Sequence, residues 1–212
     1  MRQNSSNLEF IIGDADTINR MKHIKPLCPF DDSVVHFFNE LSVKLRKIKE
    51  YPDVATFGFW CRKAAVLAEK AKYSDADQRL GRGVVFHSTP SNVPVNFAFS
   101  FAAGLLAGNA NIVRVPGKPF EQVHLICNAV QEVLNESCKE LIPYISFVKF
   151  PPDKQAADEL SARCDIRVIW GGDQTIAELR QSAIGPRAYE ITFPDRHSIA
   201  VIDAIEYLKS EQ

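Results

Sequence analysis

The chain has 212 residues, a formal net charge of −1, 46% hydrophobic residues and 24% charged residues. This length favours one domain with room for a small appended piece, and this composition can bury a substantial core. The 25 basic residues nearly balance the 26 acidic ones. The charge therefore gives no indication of a nucleic acid partner or of an anionic membrane surface.

The sequence predicts neither a targeting segment nor a membrane span. Residues 1–14 lack the cationic start and apolar core typical of a signal peptide. The longest apolar run, 93–106, is interrupted by Asn96, Ser100 and Gly104, and a membrane span needs about 20 residues. The five cysteines are scattered and never spaced as CxxC. This usage argues against a disulfide framework or a zinc site and predicts a reducing, cytoplasmic location.

Residues 1–80 are predicted to form a leader and a pair of amphipathic helices. The leader, 1–32, includes a candidate strand at 8–12. Apolar residues then recur every three or four positions in two stretches of 33–72, which is typical of helices with one buried face. A polar linker follows at 73–80. The two apolar stripes contain Val34, Phe38, Leu41, Leu45 and Ile48, then Phe57, Cys61, Ala64, Leu67 and Ala71.

From residue 81 onward, short apolar runs alternate with helices of about 10–15 residues, which predicts an α/β fold with an open, mostly parallel, Rossmann-like sheet. The helix at 95–106 is apolar all round, so we expect it to be wedged between the sheet and the N-terminal helical pair. We therefore divide the chain into 1–80, packed on the core, and an α/β domain at 81–212. Predicted strands are 84–87, 111–115, 145–150, 166–170, 190–193 and 198–202; predicted helices are 95–106, 121–135, 154–163 and 173–182.

Three polar corners follow predicted strands, at the sheet edge where ligands bind in open α/β folds. The first is 89–94, TPSNVP. Two prolines stiffen this turn, and the amide of Asn92, fixed at a strand end, can donate to a developing oxyanion. Alternatively, Asn92 and Ser91 cap the following helix, as turn residues commonly do.

The second corner, 111–118, brings a cation to the end of a buried strand. Arg114 occupies this position. A cation there can reach a phosphate or a ribose hydroxyl. A solvated surface charge is the alternative interpretation, and the sequence does not choose between the two.

The third corner, 170–175, places Gly171 and Gly172 between a strand and a helix. Two glycines let a pyrophosphate approach a helix N-terminus, although the GxGxxG pattern is missing. Asp173 would cap the helix without any ligand, and its charge would oppose a phosphate. Because all three corners should converge on one crevice, they together predict a dinucleotide site.

Four other residues are weaker candidates. His87 could act as a base, but a lone histidine in a strand is more often a core residue. His197 fits a polar turn. Cys127 and Cys164 lie on a helix stripe and beside a strand, so we interpret both as buried structural residues.

Four segments carry a family resemblance: GRGVVFHSTPSNVP at 81–94, LLAGNANIVRVP at 105–116, VIWGGDQTIAELR at 168–180 and ITFPDRHSIAVID at 191–203. In this order and spacing they resemble the LuxC-type acyl-CoA reductases, the fatty-acyl reductase branch of the aldehyde dehydrogenase superfamily. The likeness runs from about residue 30 to the end. It implies an aldehyde dehydrogenase type of sheet. It also implies NADPH-dependent reduction of an acyl thioester to a fatty aldehyde, through an enzyme cysteine thioester.

The resemblance also implies roles for individual residues. Asn92 matches the asparagine that helps to form the oxyanion hole. Arg114 stands where most of the superfamily has a lysine near the adenosine ribose, and an arginine there can pair with a 2′-phosphate, which favours NADPH over NADH. Thr192 falls near the position of the water-activating glutamate, whose loss suits a reductase. No metal is implied, and the expected cofactor-binding residues are Thr89, Pro90, Ser91, Arg114, Gly171 and Gly172, the last replacing a common serine.

The catalytic cysteine of this superfamily lies in a second domain, entered after the segment that 191–203 matches. No cysteine of this chain matches it, so we expect the chain to be the cofactor-binding portion of a longer or split reductase. The expected partners are then an acyl-CoA or acyl-protein substrate, an acyl-protein synthetase or a separate C-terminal catalytic half, and a second copy of the chain. A non-catalytic nucleotide-binding or interaction module on the same fold is the alternative.

Overall fold

The computed structural model describes residues 8–151, 154–196 and 199–210 and contains an open six-stranded sheet. Its strands are β1 (Glu9–Ile12), β2 (Val84–Ser88), β3 (Ala110–Arg114), β4 (Ile145–Lys149), β5 (Ile166–Trp170) and β6 (Tyr189–Phe193). Their order across the sheet is β1-β4-β3-β2-β5-β6. Every neighbouring pair is parallel except β1 and β4, which are antiparallel. The predicted α/β fold with a mostly parallel sheet is therefore confirmed.

The described part of the chain contains nine α-helices. They are α1 (Ala15–Met21), α2 (Asp32–Leu45), α3 (Pro52–Trp60), α4 (Lys63–Lys70), α5 (Asn96–Leu106), α6 (Glu121–Glu136), α7 (Lys154–Arg163), α8 (Asp173–Leu179) and α9 (Ala204–Ser210). One apolar cluster joins α2 to α6 with one face of the sheet, and a second joins α1 and α7 with the other face. None of these described helices has the length and apolar character to cross a membrane.

Two sequence predictions were wrong. The predicted second N-terminal helix is broken into α3 and α4, because Arg62 is extended, with φ −58° and ψ 141°. The predicted strand at 198–202 does not form over its described part, 199–202. Ile199 and Val201 there are 92% and 93% exposed, and without burial or a neighbouring strand a segment of this length has nothing to stabilise an extended ladder. Residue 198 lies outside the described residues.

Helix α5 lies between the sheet and α2, as its all-round apolar sequence predicts. The ring of Phe101 meets that of Phe147 in β4 with centroids 5.0 Å apart and that of Phe37 in α2 at 6.2 Å. All three rings are almost completely buried. Edge-on aromatic pairs of this kind add to the free energy of area burial, so α5 is held firmly from both sides.

A buried chain of hydrogen bonds also fixes α5 to the sheet. The Trp170 Nε1–H donates to Ser100 Oγ at 3.0 Å, and Ser100 Oγ lies 2.8 Å from His87 Nδ1. His87 Nε2 lies 3.0 Å from Asn111 Oδ1. Burial lowers the pKa of His87 to about 4, so the imidazole is neutral at neutral pH. Because a carbonyl oxygen only accepts, Nε2 donates to Asn111 and Nδ1 accepts the hydroxyl proton of Ser100, which satisfies both nitrogens.

Gly104 is the residue that lets α5 lie close to this series of hydrogen bonds. A Cβ built on Gly104 would lie 2.1 Å from Asn111 Oδ1 and 2.9 Å from His87 Nε2. Both neighbours are buried and hydrogen-bonded, so neither has room to move away.

A buried cation in β5 links this strand to β6, α7 and α8. Arg167 in β5 is 2% exposed. Its Nε donates to Glu190 Oε2 in β6 at 3.0 Å, and its Nη1 donates to Ser161 Oγ in α7 at 3.1 Å and to the Leu179 carbonyl in α8 at 3.0 Å. Arg180 Nε donates to the other oxygen of Glu190 at 2.7 Å. Four elements therefore depend on one guanidinium group.

Gly104→Ala tests the close approach of α5 to the sheet. The added methyl group must displace buried polar atoms, so we expect the free energy of unfolding to fall by about 2 kcal/mol or more. Denaturant titration measures the difference. Gly185→Ala is the matched control, because a Cβ there meets no atom of the described residues within 4 Å, and it should cost less than about 0.5 kcal/mol. Equal costs for the two variants would contradict the close approach.

Glu190→Gln tests the buried ion pair through its pH dependence. Burial alone would raise the pKa of Glu190, but hydrogen bonds from Arg180 and Arg167 outweigh it and lower the pKa below the usual 4.5. A lowered carboxyl pKa adds stability above the unfolded value, and this contribution is lost as the pH falls through the folded value.

We therefore expect the unchanged chain to lose stability in acid below about pH 4.5. Glu190→Gln should lose about 3 kcal/mol at pH 7, because Arg167 is left buried without a counter-charge, and its acid dependence should be flatter. Urea midpoints across this pH range measure both effects. The exposed loop variant Glu50→Gln should keep the full acid dependence, and an identical loss in both variants would refute the assignment.

Candidate functional site

A cleft of about 550 Å³ opens at the carboxyl ends of β2, β3 and β5. We call it the first cleft. Parallel strands point the same way, so the loops that follow them meet at one edge. The first cleft brings all of the predicted site residues together: Thr89, Pro90, Ser91, Asn92, Arg114, Gly171 and Gly172.

The turn after β2 does not cap α5, so that alternative interpretation was wrong. The N-cap of α5 is Val95, without a side-chain capping bond. Asn92 is exposed at the cleft and has no hydrogen-bond partner within the described part of the chain. Thr89 is buried, and its Oγ1 donates to the Arg114 carbonyl at 2.6 Å. That bond fixes the turn after β2 to the end of β3 and leaves the Asn92 amide free to donate.

Arg114 is half-buried at the first cleft, so its side chain is only partly solvated. Its Nη2 donates to the Phe150 carbonyl at 3.2 Å, and its guanidinium lies over the Phe150 ring, 4.4 Å from the centroid. Burial lowers the pKa of Arg114 from its ordinary value, yet an arginine remains charged at neutral pH. Among the described residues no carboxylate forms an ion pair with it. Its charge is therefore left for another anion.

The two glycines after β5 lie close to neighbouring side chains of the protein. A Cβ on Gly172 would lie 2.6 Å from Asp195 Oδ2, and one on Gly171 would lie 3.0 Å from Thr175 Cγ2. Helix α8 has only seven residues, and its N-cap, Gly172, makes no side-chain capping bond. Asp173 therefore does not cap the helix, contrary to the alternative reading of this corner. The Asp195 carboxylate would also oppose an anion at Gly172, so the favourable charge lies at the Arg114 end.

Several cleft residues were not singled out from the sequence. Phe150, Lys154 and Trp170 all line the first cleft. The Trp170 ring stacks on Phe193 with centroids 3.7 Å apart and planes at 8°, and Lys154 pairs with Asp158 at 2.8 Å. Phe150 follows β4 directly and Trp170 ends β5, so their positions at strand ends were the signal that could have found them.

The weaker candidates have structural surroundings. Burial lowers the pKa of His87 to about 4 although the bond to Asn111 opposes this, so at neutral pH it has no tendency to take a proton. Burial raises the pKa of Cys127 to about 12 and that of Cys164 to about 11, which confirms both as buried thiols. His197 lies outside the described residues. No cysteine or metal-binding cluster lies at the first cleft within the described ranges.

Comparison with known proteins identifies one family. The family model for acyl-CoA reductase (LuxC) matches residues 65–211. No individual curated protein sequence matches the chain.

Solved structures show the same fold. A lactaldehyde dehydrogenase superposes with a TM-score of 0.59 at 15% identity, over 83% of this chain and 42% of that chain. An NAD-dependent benzaldehyde dehydrogenase from Corynebacterium glutamicum gives 0.58 at 14% identity, over 92% and 52%. The NADP-dependent glyceraldehyde-3-phosphate dehydrogenase from Bacillus halodurans C-125, solved with NADP, gives 0.53 at 17% identity, over 84% and 43%.

The chain spans about half the length of these solved structures or less. Likeness at such identities establishes the fold, which is that of the aldehyde dehydrogenases. Because the family model covers well over half of the 212 residues, the chain belongs to the LuxC family of acyl-CoA reductases.

Proposed function

We propose that the chain is the cofactor-binding portion of an NADPH-dependent acyl-CoA reductase that forms a fatty aldehyde. The observation that carries this proposal is the half-buried, unpaired Arg114 at a cleft built from three strand-end loops. A volume of about 550 Å³ lies within the usual range of small-molecule sites. The family assignment supplies the reaction class, and the free, scattered cysteines suit a cytoplasmic protein.

The residues of the first cleft fit a phosphate-bearing dinucleotide at its Arg114 end. Arg114 offers a desolvated cation, and the turn at 89–92 presents hydroxyl and amide groups beside it. When bound, the nicotinamide would supply the hydride. An arginine rather than an acid next to the adenosine ribose would favour NADPH, because an acid repels the 2′-phosphate.

Asn92 is the proposed oxyanion donor. Its amide is exposed and uncommitted at the cleft, and the Thr89 bond to β3 restrains the turn that carries it. A donor that is already oriented needs no rearrangement as negative charge develops on the thioester oxygen. The nucleophilic cysteine would come from outside this chain, since the cysteines here do not line the first cleft.

An exposed apolar surface supports a polypeptide partner. Tyr189, Ile191 and Phe193 on β6 are 56%, 46% and 36% exposed, and Ile199 and Val201 beyond it are almost fully exposed. Apolar area of this extent usually belongs to an interface. We propose that a cysteine-bearing domain covers it, in the same polypeptide or as a separate half. The same surface favours the second candidate, a non-catalytic nucleotide-binding or interaction module that forms homo-oligomers.

The first test is cofactor binding by the chain alone. NADPH should bind in calorimetric titration, and Arg114→Gln should weaken it by about tenfold or more, because a charge-assisted hydrogen bond is lost. Arg114→Lys should retain part of the affinity. Lys139→Gln, which changes an exposed lysine in the segment before β4, should bind like the unchanged chain. Absence of NADPH binding would refute the proposed function for this chain.

The second test is complementation. The chain, mixed with the cysteine-bearing domain of a family member, should form aldehyde from acyl-CoA and NADPH. Asn92→Ala should lower kcat by about 10²- to 10³-fold while leaving the NADPH affinity of the chain unchanged. Val93→Ala, in the same turn but outside the residues that line the first cleft, is the matched control. Stable association without aldehyde formation would instead favour the non-catalytic module.

A further inference from the structure

A second cavity, of about 310 Å³, lies at the carboxyl end of α5, away from the turn that carries Asn92. We call it the α5 pocket. It shares no lining residue with the first cleft, and its volume lies at the lower end of the range for small-molecule sites. Its walls are mostly apolar and include Phe30, Trp60, Tyr73, Ala103, Leu106 and Ala107.

The backbone of Phe30 is strained at this pocket. Its φ is 57°, and no other described residue except glycine has a positive φ. The Phe30 N–H donates to the Leu106 carbonyl at 2.7 Å, which holds this conformation. The ring of Phe30 lies 5.9 Å from that of Tyr73, centroid to centroid. A positive φ is unfavourable for a bulky residue, and strain of this kind is concentrated at ligand sites.

Small residues of the α5 segment leave the pocket open. Ala103 and Ala107 lie one helical turn apart, are exposed, and both line the cavity. Side chains elsewhere in a protein fill the available space closely. A volume of 310 Å³ corresponds to the share of about ten water molecules in the liquid. The pocket therefore has room for a ligand of about ten non-hydrogen atoms.

The charges that line the α5 pocket are already matched within the protein. They belong to Glu69 and Arg79. Lys72 Nζ donates to Glu69 Oε1 at 2.7 Å, and Arg79 Nε donates to Asp75 Oδ2 at 2.9 Å. An anion in the pocket is repelled by the acid and a cation by the base, while the opposite charge of the wall already has a counter-ion. The pocket therefore favours an uncharged ligand.

One hydrogen-bonding group of the wall is available to such a ligand. Tyr73 is 50% exposed, and its hydroxyl has no hydrogen-bond partner in the described part of the chain. A tyrosine combines an apolar ring with a polar tip, so it suits the boundary between an apolar body and a polar head.

We propose that the α5 pocket binds an uncharged molecule that has one aliphatic chain of about eight to ten carbons and a hydroxyl or carbonyl head. The chain contacts the apolar wall, which includes Trp60 and Ala103, and the head forms a hydrogen bond with the Tyr73 hydroxyl. This site goes beyond the proposed function, because it needs neither the cofactor nor any residue of the first cleft.

Linear alcohols test the site in the chain as it stands. In calorimetric titration of 1-butanol, 1-hexanol and 1-octanol, the affinity should rise about three- to fourfold for each added CH₂ group. Octanoate and octylamine should bind about tenfold or more weakly than 1-octanol. The ketone 2-nonanone, whose head only accepts hydrogen bonds, separates the two kinds of head: binding as tight as that of 1-octanol supports a carbonyl, and weaker binding supports a hydroxyl.

Fluorescence locates the bound alcohol. The chain has two tryptophans, with Trp60 at the α5 pocket and Trp170 at the first cleft. 1-Octanol should change the tryptophan emission of the unchanged chain. The change should disappear in Trp60→Phe, which leaves only Trp170.

Three further variants sharpen the test. Ala103→Leu occupies the room of at least two CH₂ groups of the ligand and should weaken 1-octanol about tenfold or more. Its matched control is Ala64→Leu, at an exposed position of α4 outside the pocket, which should bind like the unchanged chain. Tyr73→Phe should weaken 1-octanol about three- to tenfold and keep the increase per CH₂ group. Thermal unfolding of every variant checks that the fold is retained.

The outcomes separate this inference from the proposed function. Binding of 1-octanol that Ala103→Leu weakens and Ala64→Leu does not supports the site, whether or not the chain binds NADPH. Binding that both variants leave unchanged overturns it, because the alcohol would then lie elsewhere, for example on the exposed apolar residues of β6. Equal affinity for 1-octanol, octanoate and octylamine also overturns it, and so does absence of alcohol binding in a chain that binds NADPH.

Discussion

The candidate site depends on the parallel register of β2, β3 and β5. In this register the strands end together, with Ser88 beside Arg114 and Ile169. The turns that follow these strands therefore all lie at one edge of the sheet. The Thr89 hydroxyl bond to the Arg114 carbonyl then fixes the first two turns to each other. A shift of one residue along β3 would turn Arg114 to the opposite face and leave Thr89 without its acceptor. The register therefore determines both the position of the cation and the rigidity of the turn beside it.

Helix α5 connects the turn after β2 to the core of the molecule. It begins after the turn at 89–94 and packs between apolar rings on both sides. Apolar packing alone would allow α5 to slide, because it has little direction. The hydrogen bonds that run from Trp170 through Ser100 and His87 to Asn111 are directional, so they fix the position of α5 along the sheet. Gly104 makes the approach possible, so the turn that carries Asn92 is anchored at both ends.

Much of the fold could be predicted because its signals are local. The strands and helices from residue 84 to 193 follow clear apolar periods, and their predicted bounds differ from the observed ones by three residues at most. The break between α3 and α4 lacks such a signal: no proline or glycine lies at Cys61–Arg62, and Arg62 turns outward to stack on Phe59. Helix α1 was missed because it is short, although Asp14 and Thr17 form a recognisable cap.

The candidate site could be predicted in position more readily than in detail. Strand ends are visible in the sequence, so the gathering of Asn92, Arg114 and Gly171 followed from topology. The reason for each residue type was not visible. The neighbour of Gly172 in the fold is Asp195, which is far along the chain. Similarly, the partner of Arg167 lies 23 residues away in a strand whose pairing the sequence does not state.

Arg114 and Arg167 show how a charge kept for the fold differs from one left for a ligand. Arg167 is 2% exposed and is matched by Glu190 and by three further oxygen acceptors from the chain. Its burial is favourable only because those groups replace water. Arg114 is partly desolvated with one carbonyl and one aromatic ring, so the unmet part of its interaction is directed toward the first cleft. An anion that binds there gains this interaction without disrupting any existing ion pair, and this supports the proposal that the ligand approaches the sheet with its phosphates toward β3.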